Sequence, residues 1–518
     1  MSPSRLLAAC LVWLALSAPL RAAEAAASEI AWLDAANDGA VDAAFARARG
    51  ERKPLLLYWG ASWCPPCNQL KATLFNRSDF IERSHAFVAV RVDGDLPGAQ
   101  KLGKRFRVSG YPTLVLFRPD GTEVTRLPGE AEPAQVLGVL DLGLSGGRPV
   151  SAVLADARAG KALAADDWRM LAFYSWDTDD QRLASAAERP GLLATLAARC
   201  PAALGQVRTR LWLKALAASD DGQGVKADRA LRRLVLEVLR DPTSARAQLD
   251  VLAYGARPIV RAVTGAAAGG HAEEVVGAYD AALQRLERDA TLSRADRLAA
   301  LGARLDLTQL DRVEGEPLEP VPAALRQDIR DQVARDDREI RDGYERQAVV
   351  TEGASLLAQA GLMAESDALL QANLAKSHSP YYLMSQLAGN AKRRGDANAA
   401  LGWYARAYDA SRGPATRLQW GASYLGALVD LAPDDAARIE RVATQLFGEA
   451  AAQPNAFYER SARSLQRVGR RLVSWNADGR HAQAMARLQR QLDAICARVE
   501  AADGQRATCD ALLRPGAT

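Results

Sequence analysis

Trp63-Cys64-Pro65-Pro66-Cys67 is the stretch on which the reading of this 518-residue chain turns. Before it, Lys53-Pro54 leads into Leu55-Leu56-Leu57-Tyr58-Trp59-Gly60, an apolar run of strand length that ends in glycine. After it, Asn68 to Phe75 has helical spacing, with Leu70, Leu74 and Phe75 able to share one face. Two cysteines one helical turn apart therefore lie where a buried strand passes into a helix.

Working outward, Phe87 to Asp93 reads as a second strand and Leu102 to Phe106 as a short helix. Val108 to Phe117 is a third strand, broken by Pro112, and Asp120-Gly121 turns it into a fourth, Glu123 to Leu127. Ala134 to Leu142 closes the unit as a helix. By itself a CxxC could be half of a zinc site or a structural disulfide. Zinc needs two further ligands at suitable spacing. The four histidines, His85, His271, His378 and His481, offer none, so no metal or other cofactor is expected.

The chemistry follows from position. A nucleophilic sulfur must be a thiolate, and Cys64 at a helix N-terminus gains free amide donors and the positive end of the dipole. Cys67, one turn on, can attack a mixed disulfide formed on Cys64. Pro65 and Pro66 suit the first helical turn, but they carry no N–H with which to stabilise that thiolate.

The order of elements, Trp63 before the CxxC, Tyr111-Pro112-Thr113 about 45 residues later and Gly129 after the hairpin resemble the thioredoxin-fold thiol-disulfide oxidoreductases. The resemblance covers about residues 30–145. It implies Cys64 as nucleophile, Cys67 as resolving thiol and Pro112 as a cis-proline beside which substrate backbone pairs. Trp63, Pro65, Pro66, Tyr111 and Thr113 would shape the site. Cytoplasmic reductants of this fold place a buried aspartate where this chain has Tyr58. The Lys71-Ala72-Thr73-Leu74-Phe75 segment lacks their proline kink and is more like exported domains recharged by a membrane-bound periplasmic donor.

The leader fits export. Arg5, the apolar run Leu6 to Leu20 and Ala23-Glu24-Ala25 predict a signal peptide over residues 1–25 and a periplasmic location. No later segment is apolar enough for stable membrane insertion. The 66 basic and 62 acidic residues nearly cancel, so a nucleic-acid footprint is not expected either.

Gly146-Gly147-Arg148-Pro149 ends the first pattern, placing an α/β unit over 26–147 and helices over 148–518. Gly361 and Gly395 are 34 residues apart, and that register pairs Ser366 with Ala400 and Pro380 with Pro414. Thirty-four is the tetratricopeptide period, so residues 346–452 or so resemble such an array within an irregular all-α solenoid. Trp403, Tyr404, Tyr408 and Trp420 are candidates for a groove or for core. Cys496 and Cys509 flank Asp503-Gly504 almost symmetrically, which predicts a structural disulfide across a terminal helical hairpin, 481–514. Cys200 is left over and reads as a buried inert thiol.

The expected function is reduction or isomerisation of disulfides in client proteins through Cys64 and Cys67. In the alternative reading the solenoid is a client-binding adaptor or scaffold and the α/β unit a docking module.

Overall fold

In the computed structural model, residues 29–514 are described apart from 97, 180, 220–223, 227, 266–269, 311, 313–318 and 502–503. The leader expected over 1–25 and the turn residue Asp503 lie outside them. The first elements are β1 (Leu33–Asp34), α1 (Asp38–Glu51), β2 (Leu55–Gly60), α2 (Pro65–Leu70), α3 (Ser78–Ser84), β3 (Val88–Asp93) and α4 (Ala99–Phe106). β4 (Thr113–Phe117), β5 (Glu123–Leu127) and α5 (Pro133–Leu144) follow. They build one five-stranded sheet in the order β1-β3-β2-β4-β5. β2 runs parallel to β3 and antiparallel to β4, so the strand feeding the CxxC is central.

Alternation along β2 explains the layers, because successive side chains point to opposite faces. Leu55, Leu57 and Trp59 pack with Val41, Phe45 and Leu102 on one side. Leu56 and Tyr58 face the other way, toward Leu70, Leu74, Phe75 and Leu137. The expected strand from Val108 forms only from Thr113, after the proline. The helix after the CxxC begins at Pro65, and over Lys71–Phe75 it widens into a π-turn that delivers Leu74 and Phe75 to the core.

Beyond Leu144 every regular element among the described residues is helical. The sheet's second face does not end at α5. Val153, Leu154, Trp168, Leu171, Tyr174 and Trp176 belong to the same apolar cluster as Leu56, Leu114 and Leu116. A buried arginine ties the same junction. Arg126 Nη1 donates to the carbonyls of Arg107 (2.8 Å) and Thr178 (3.0 Å), and Nη2 to that of Phe106 (2.6 Å).

Further on, the 34-residue correspondence coincides with helix boundaries. Gly361 (φ 80°) lies between helices Gly343–Gln359 and Met363–Asn373, and Gly395 (φ 77°) between Pro380–Arg393 and Ala397–Ala410. A left-handed residue ends each first helix at no steric cost only if it is glycine. Pro380 and Pro414 each open a helix, and Ser366 and Ala400 are both buried. At the C-terminus Cys496 and Cys509, with Cα atoms 5.6 Å apart, are disulfide-bonded between helices Ala482–Cys496 and Gln505–Ala511. Cys200 is a free, buried thiol, and that burial pushes its pKa up.

Candidate active site around Cys64 and Cys67

Cys64 is the N-cap of α2, with extended backbone, and its sulfur accepts the Cys67 N–H at 3.3 Å. Pro65 and Pro66 fill the next two positions, where an N–H has no intrahelical partner anyway. The loop is pinned by Asn68, which is fully buried and donates from Nδ2 to the carbonyls of Ser62 and Cys64, both at 2.8 Å. Cys64 and Cys67 are bonded to each other, with Cα atoms 5.3 Å apart.

Across from the pair, the Tyr111–Pro112 peptide is cis, and the Tyr111 carbonyl oxygen lies 3.7 Å from Cys64 Sγ. Thr113 Oγ1 donates to the Gly110 carbonyl at 2.9 Å, holding the loop that enters β4. Gly129 closes against it, since a Cβ there would sit 3.2 Å from Pro112 Cγ. Tyr58 occupies the β2 position behind the pair. Its buried hydroxyl has no hydrogen-bond partner among the described residues, and burial raises its pKa. So Trp63, Cys64, Pro65, Pro66, Cys67, Tyr111, Pro112 and Thr113 do converge, whereas Cys496 and Cys509 form their bridge in the terminal helices.

What sequence reasoning missed is the cover. Trp63 stacks on Tyr382 (ring centroids 6.1 Å apart, interplanar angle 18°) and meets Trp420 edge-on at 5.1 Å. Asp95, after β3, accepts from Trp63 Nε1 (3.2 Å), from Thr416 Oγ1 and from Arg460 Nη2. The Arg460 guanidinium also lies over the rings of Trp63 (5.1 Å) and Tyr111 (5.3 Å). Arg463 donates to the Ser109 carbonyl at 3.1 Å, and His378 Nε2 lies 2.9 Å from that of Ser62. Cys64 itself is only 3% exposed, packed among Ala61, Trp63, Cys67 and Tyr111. Of the four candidate groove aromatics, Tyr408 is buried and Trp420 packs on the redox loop, so the quartet does not line one open groove.

The arrangement is a dithiol/disulfide pair at a helix start, faced by a cis-proline. The thioredoxin-like domain family matches residues 41–143. Over 88 residues the chain is 30% identical to a thioredoxin of Mycolicibacterium smegmatis, a stretch that is 17% of this chain and 76% of that protein. The chain belongs to the thioredoxin-like family. Its thioredoxin-like domain is also 32% identical over 97 residues to the thioredoxin of Mycobacterium tuberculosis, covering 18% of this chain and 79% of that one. With the thiol:disulfide interchange protein DsbD 1 of Pseudomonas aeruginosa it shares 31% identity over 107 residues. That match is 20% of this chain and spans only 18% of the DsbD 1 length.

Among the described residues no group of three or more His, Cys, Asp or Glu side chains is placed to hold a metal. No described helix is long and apolar enough to cross a membrane.

Proposed function

We propose that the protein is an exported thiol-disulfide oxidoreductase that reduces or isomerises client disulfides through Cys64 and Cys67. The observation that carries this is the Cys64 sulfur at the start of α2, bonded to Cys67 and facing the cis Tyr111–Pro112 peptide. In the reduced form the Cys64 thiolate attacks a substrate disulfide, and one substrate sulfur leaves as a thiolate that takes up a proton. The Cys67 thiolate then attacks Cys64 in the mixed disulfide and expels the second substrate thiol. Two electrons pass to substrate, and the protein is left with its Cys64–Cys67 disulfide. A dithiol donor must reverse that change, a membrane-bound one in a periplasmic setting, and the likeness to a thiol:disulfide interchange protein supports dithiol exchange as the chemistry.

The signal-like leader over 1–25 supports a periplasmic setting. The helices over 148–518, tetratricopeptide-like at about 346–452, would select clients. Their cover over Trp63 also favours a second reading, in which client binding by the helices is the main activity. Insulin reduction by dithiothreitol, followed by turbidity, separates the two. The native protein is expected to accelerate it over a Cys64→Ser variant, and equal rates would overturn the oxidoreductase reading.

A further inference from the structure

Helix Glu459–Trp475 returns from the far end of the chain to the redox loop, and its charge is lopsided. It carries five arginines, Arg460, Arg463, Arg467, Arg470 and Arg471, against one acid, Glu459. The whole chain, by contrast, has 66 basic and 62 acidic residues. Arg460 is turned inward, bonded to Asp95 and lying over the Trp63 and Tyr111 rings. Arg471 pairs with Asp430. Arg463, Arg467 and Arg470 are exposed, and their i, i+4, i+7 spacing sets them in a row on one face of the helix.

That row is short of counter-charge. Glu459 is the partner of Arg463, at 3.0 Å. α4, whose Gly103 abuts Glu459, has no acid to offer. Asp430 of helix Pro414–Leu431 is held by Lys392 and Arg471, and Asp510 by Arg506. Among the described residues the Arg470 side chain has neither a hydrogen-bond nor an ion-pair partner, and Arg467 bonds only Ser464 Oγ of its own helix, at 3.2 Å. Partial burial, and then repulsion from Arg463 and Arg470, pulls the Arg467 pKa below the usual arginine range. Like charges one turn apart weaken a helix, so the row is a cost in the free protein that a negative partner relieves.

The row starts beside the loop that faces the sulfur. Arg463 Nη2 donates to the Ser109 carbonyl at 3.1 Å, two residues before Tyr111, whose own carbonyl oxygen lies 3.7 Å from Cys64 Sγ. From Arg463 to Arg470 the helix rises about 10 Å. An extended chain rises about 3.3 Å per residue, so about three residues of a client span the row. We propose that this arginine row binds an acidic stretch of the client polypeptide, so that the disulfides presented to Cys64 are those with aspartate or glutamate a few residues from the cysteine. The inference rests on the oxidoreductase reading above and specifies its substrate. The sulfur chemistry is unchanged: the Cys64–Cys67 dithiol supplies both electrons, and a dithiol donor restores it.

The test uses the full-length protein, reduced with dithiothreitol and freed of excess reductant. It is mixed at low salt with two disulfide-bonded peptides identical except for aspartates or lysines flanking the cysteines. Single-turnover rates are compared with the rates at which free dithiothreitol reduces the same peptides. Relative to that reference, the aspartate peptide is expected to react about ten-fold faster or more than the lysine peptide, an effect of the size electrostatic steering gives. The preference should shrink in high salt and collapse in an Arg467→Gln/Arg470→Gln variant whose melting temperature shows that it folds. Arg470→Gln alone, which breaks no contact within the fold, should reduce it at least two-fold. Equal corrected rates in the native protein, or a preference that survives in the variants, would overturn the proposal. So would equal peptide rates together with phosphatidylglycerol vesicles that bind the native protein and not the double variant, which would make the row a lipid contact. A separate arm with hydroxyethyl disulfide compares the native protein with Cys64→Ser. No difference there would remove the oxidoreductase reading itself, whereas a difference there with equal peptide rates removes only the arginine row's role.

Discussion

Replacing Asp95 with alanine removes one carboxylate that three donors share: the Trp63 indole, the Thr416 hydroxyl and the Arg460 guanidinium. The Asp95 and Arg460 side chains are only 9% and 12% exposed, so the arginine would be left buried without its counter-charge. Deleting one partner of such a pair costs about 3–5 kcal/mol. If about 3 kcal/mol of that loss falls on the contact between the helices and the redox loop, the open population rises roughly a hundredfold, at 1.4 kcal/mol per tenfold. If the helices gate the redox loop, alkylation of Cys64 by iodoacetamide in the reduced protein should accelerate by a similar factor. Peptide mass spectrometry reads each cysteine separately. Cys200 is buried in the core shared with the sheet and acts as an internal control, because global unfolding would expose both thiols and opening of the cover only Cys64. An Asp34→Ala variant, which breaks the exposed pair with Arg91, should change neither rate. If Asp95→Ala lowers the melting temperature while Cys64 alkylation stays within about twofold of native, or rises only in step with Cys200, the cluster does not hold the cover closed.

Three further outcomes are expected. The hydrogen bond to the Cys64 sulfur comes from the Cys67 N–H, and Pro65 and Pro66 have none to add, so the Cys64 pKa should lie nearer 7 than 3.5 and the potential near about −270 mV. Equilibration against redox buffers measures it, and a value above about −150 mV would sink the argument. The Cys496–Cys509 bond closes a loop of sequence separation 13, so a Cys496→Ser/Cys509→Ser variant should lose about 3 kcal/mol in urea denaturation; an unchanged midpoint would show that the bridge constrains little. Glu130 titrates at about 7 when folded, above the ordinary glutamate value of 4.5. A raised carboxyl pKa means that the folded state holds the proton more tightly, so the contribution of Glu130 to stability is most favourable at pH 4.5 and below and declines as pH rises to about 7. Relative to native, Glu130→Gln should therefore gain melting temperature progressively across that window and level off above it; a constant difference would contradict the assignment.

The α/β unit was legible because each of its signals is local. Apolar alternation in Leu55 to Trp59, two cysteines one turn apart and a proline at the mouth of a strand all act within a few residues. Cys496 and Cys509 are likewise close in sequence, at a separation of 13. The cover was not. Tyr382, Trp420 and Arg460 lie more than 300 positions from Trp63, and nothing near them in sequence distinguishes an aromatic that packs on a neighbour from one that fills a helix core. Arg126 was hidden by its charge. An arginine in a five-residue strand reads as facing water, yet three carbonyls from two loops satisfy it inside the protein.

The continuity of the core bears on how the two regions work together. A docking module carried by an adaptor would have its own closed core and a polar, modest interface, as separate domains usually do. Here the sheet's second face is finished by Trp168, Leu171, Tyr174 and Trp176, whose side chains share one apolar cluster with Leu56, Leu114 and Leu116. Arg126 in β5 is satisfied in part by the Thr178 carbonyl, so the strand's own charge depends on the helices. Far along the chain, Tyr382, Trp420 and Arg460 return to the redox loop from the opposite end of the helical region. The helices thus begin by completing the thioredoxin-like domain and finish by covering its reactive face. Any client selection by the helices would therefore act at the redox loop itself, where Tyr382, Trp420 and Arg460 meet Trp63. Clients would then differ from those of a free thioredoxin even though the sulfur chemistry is the same.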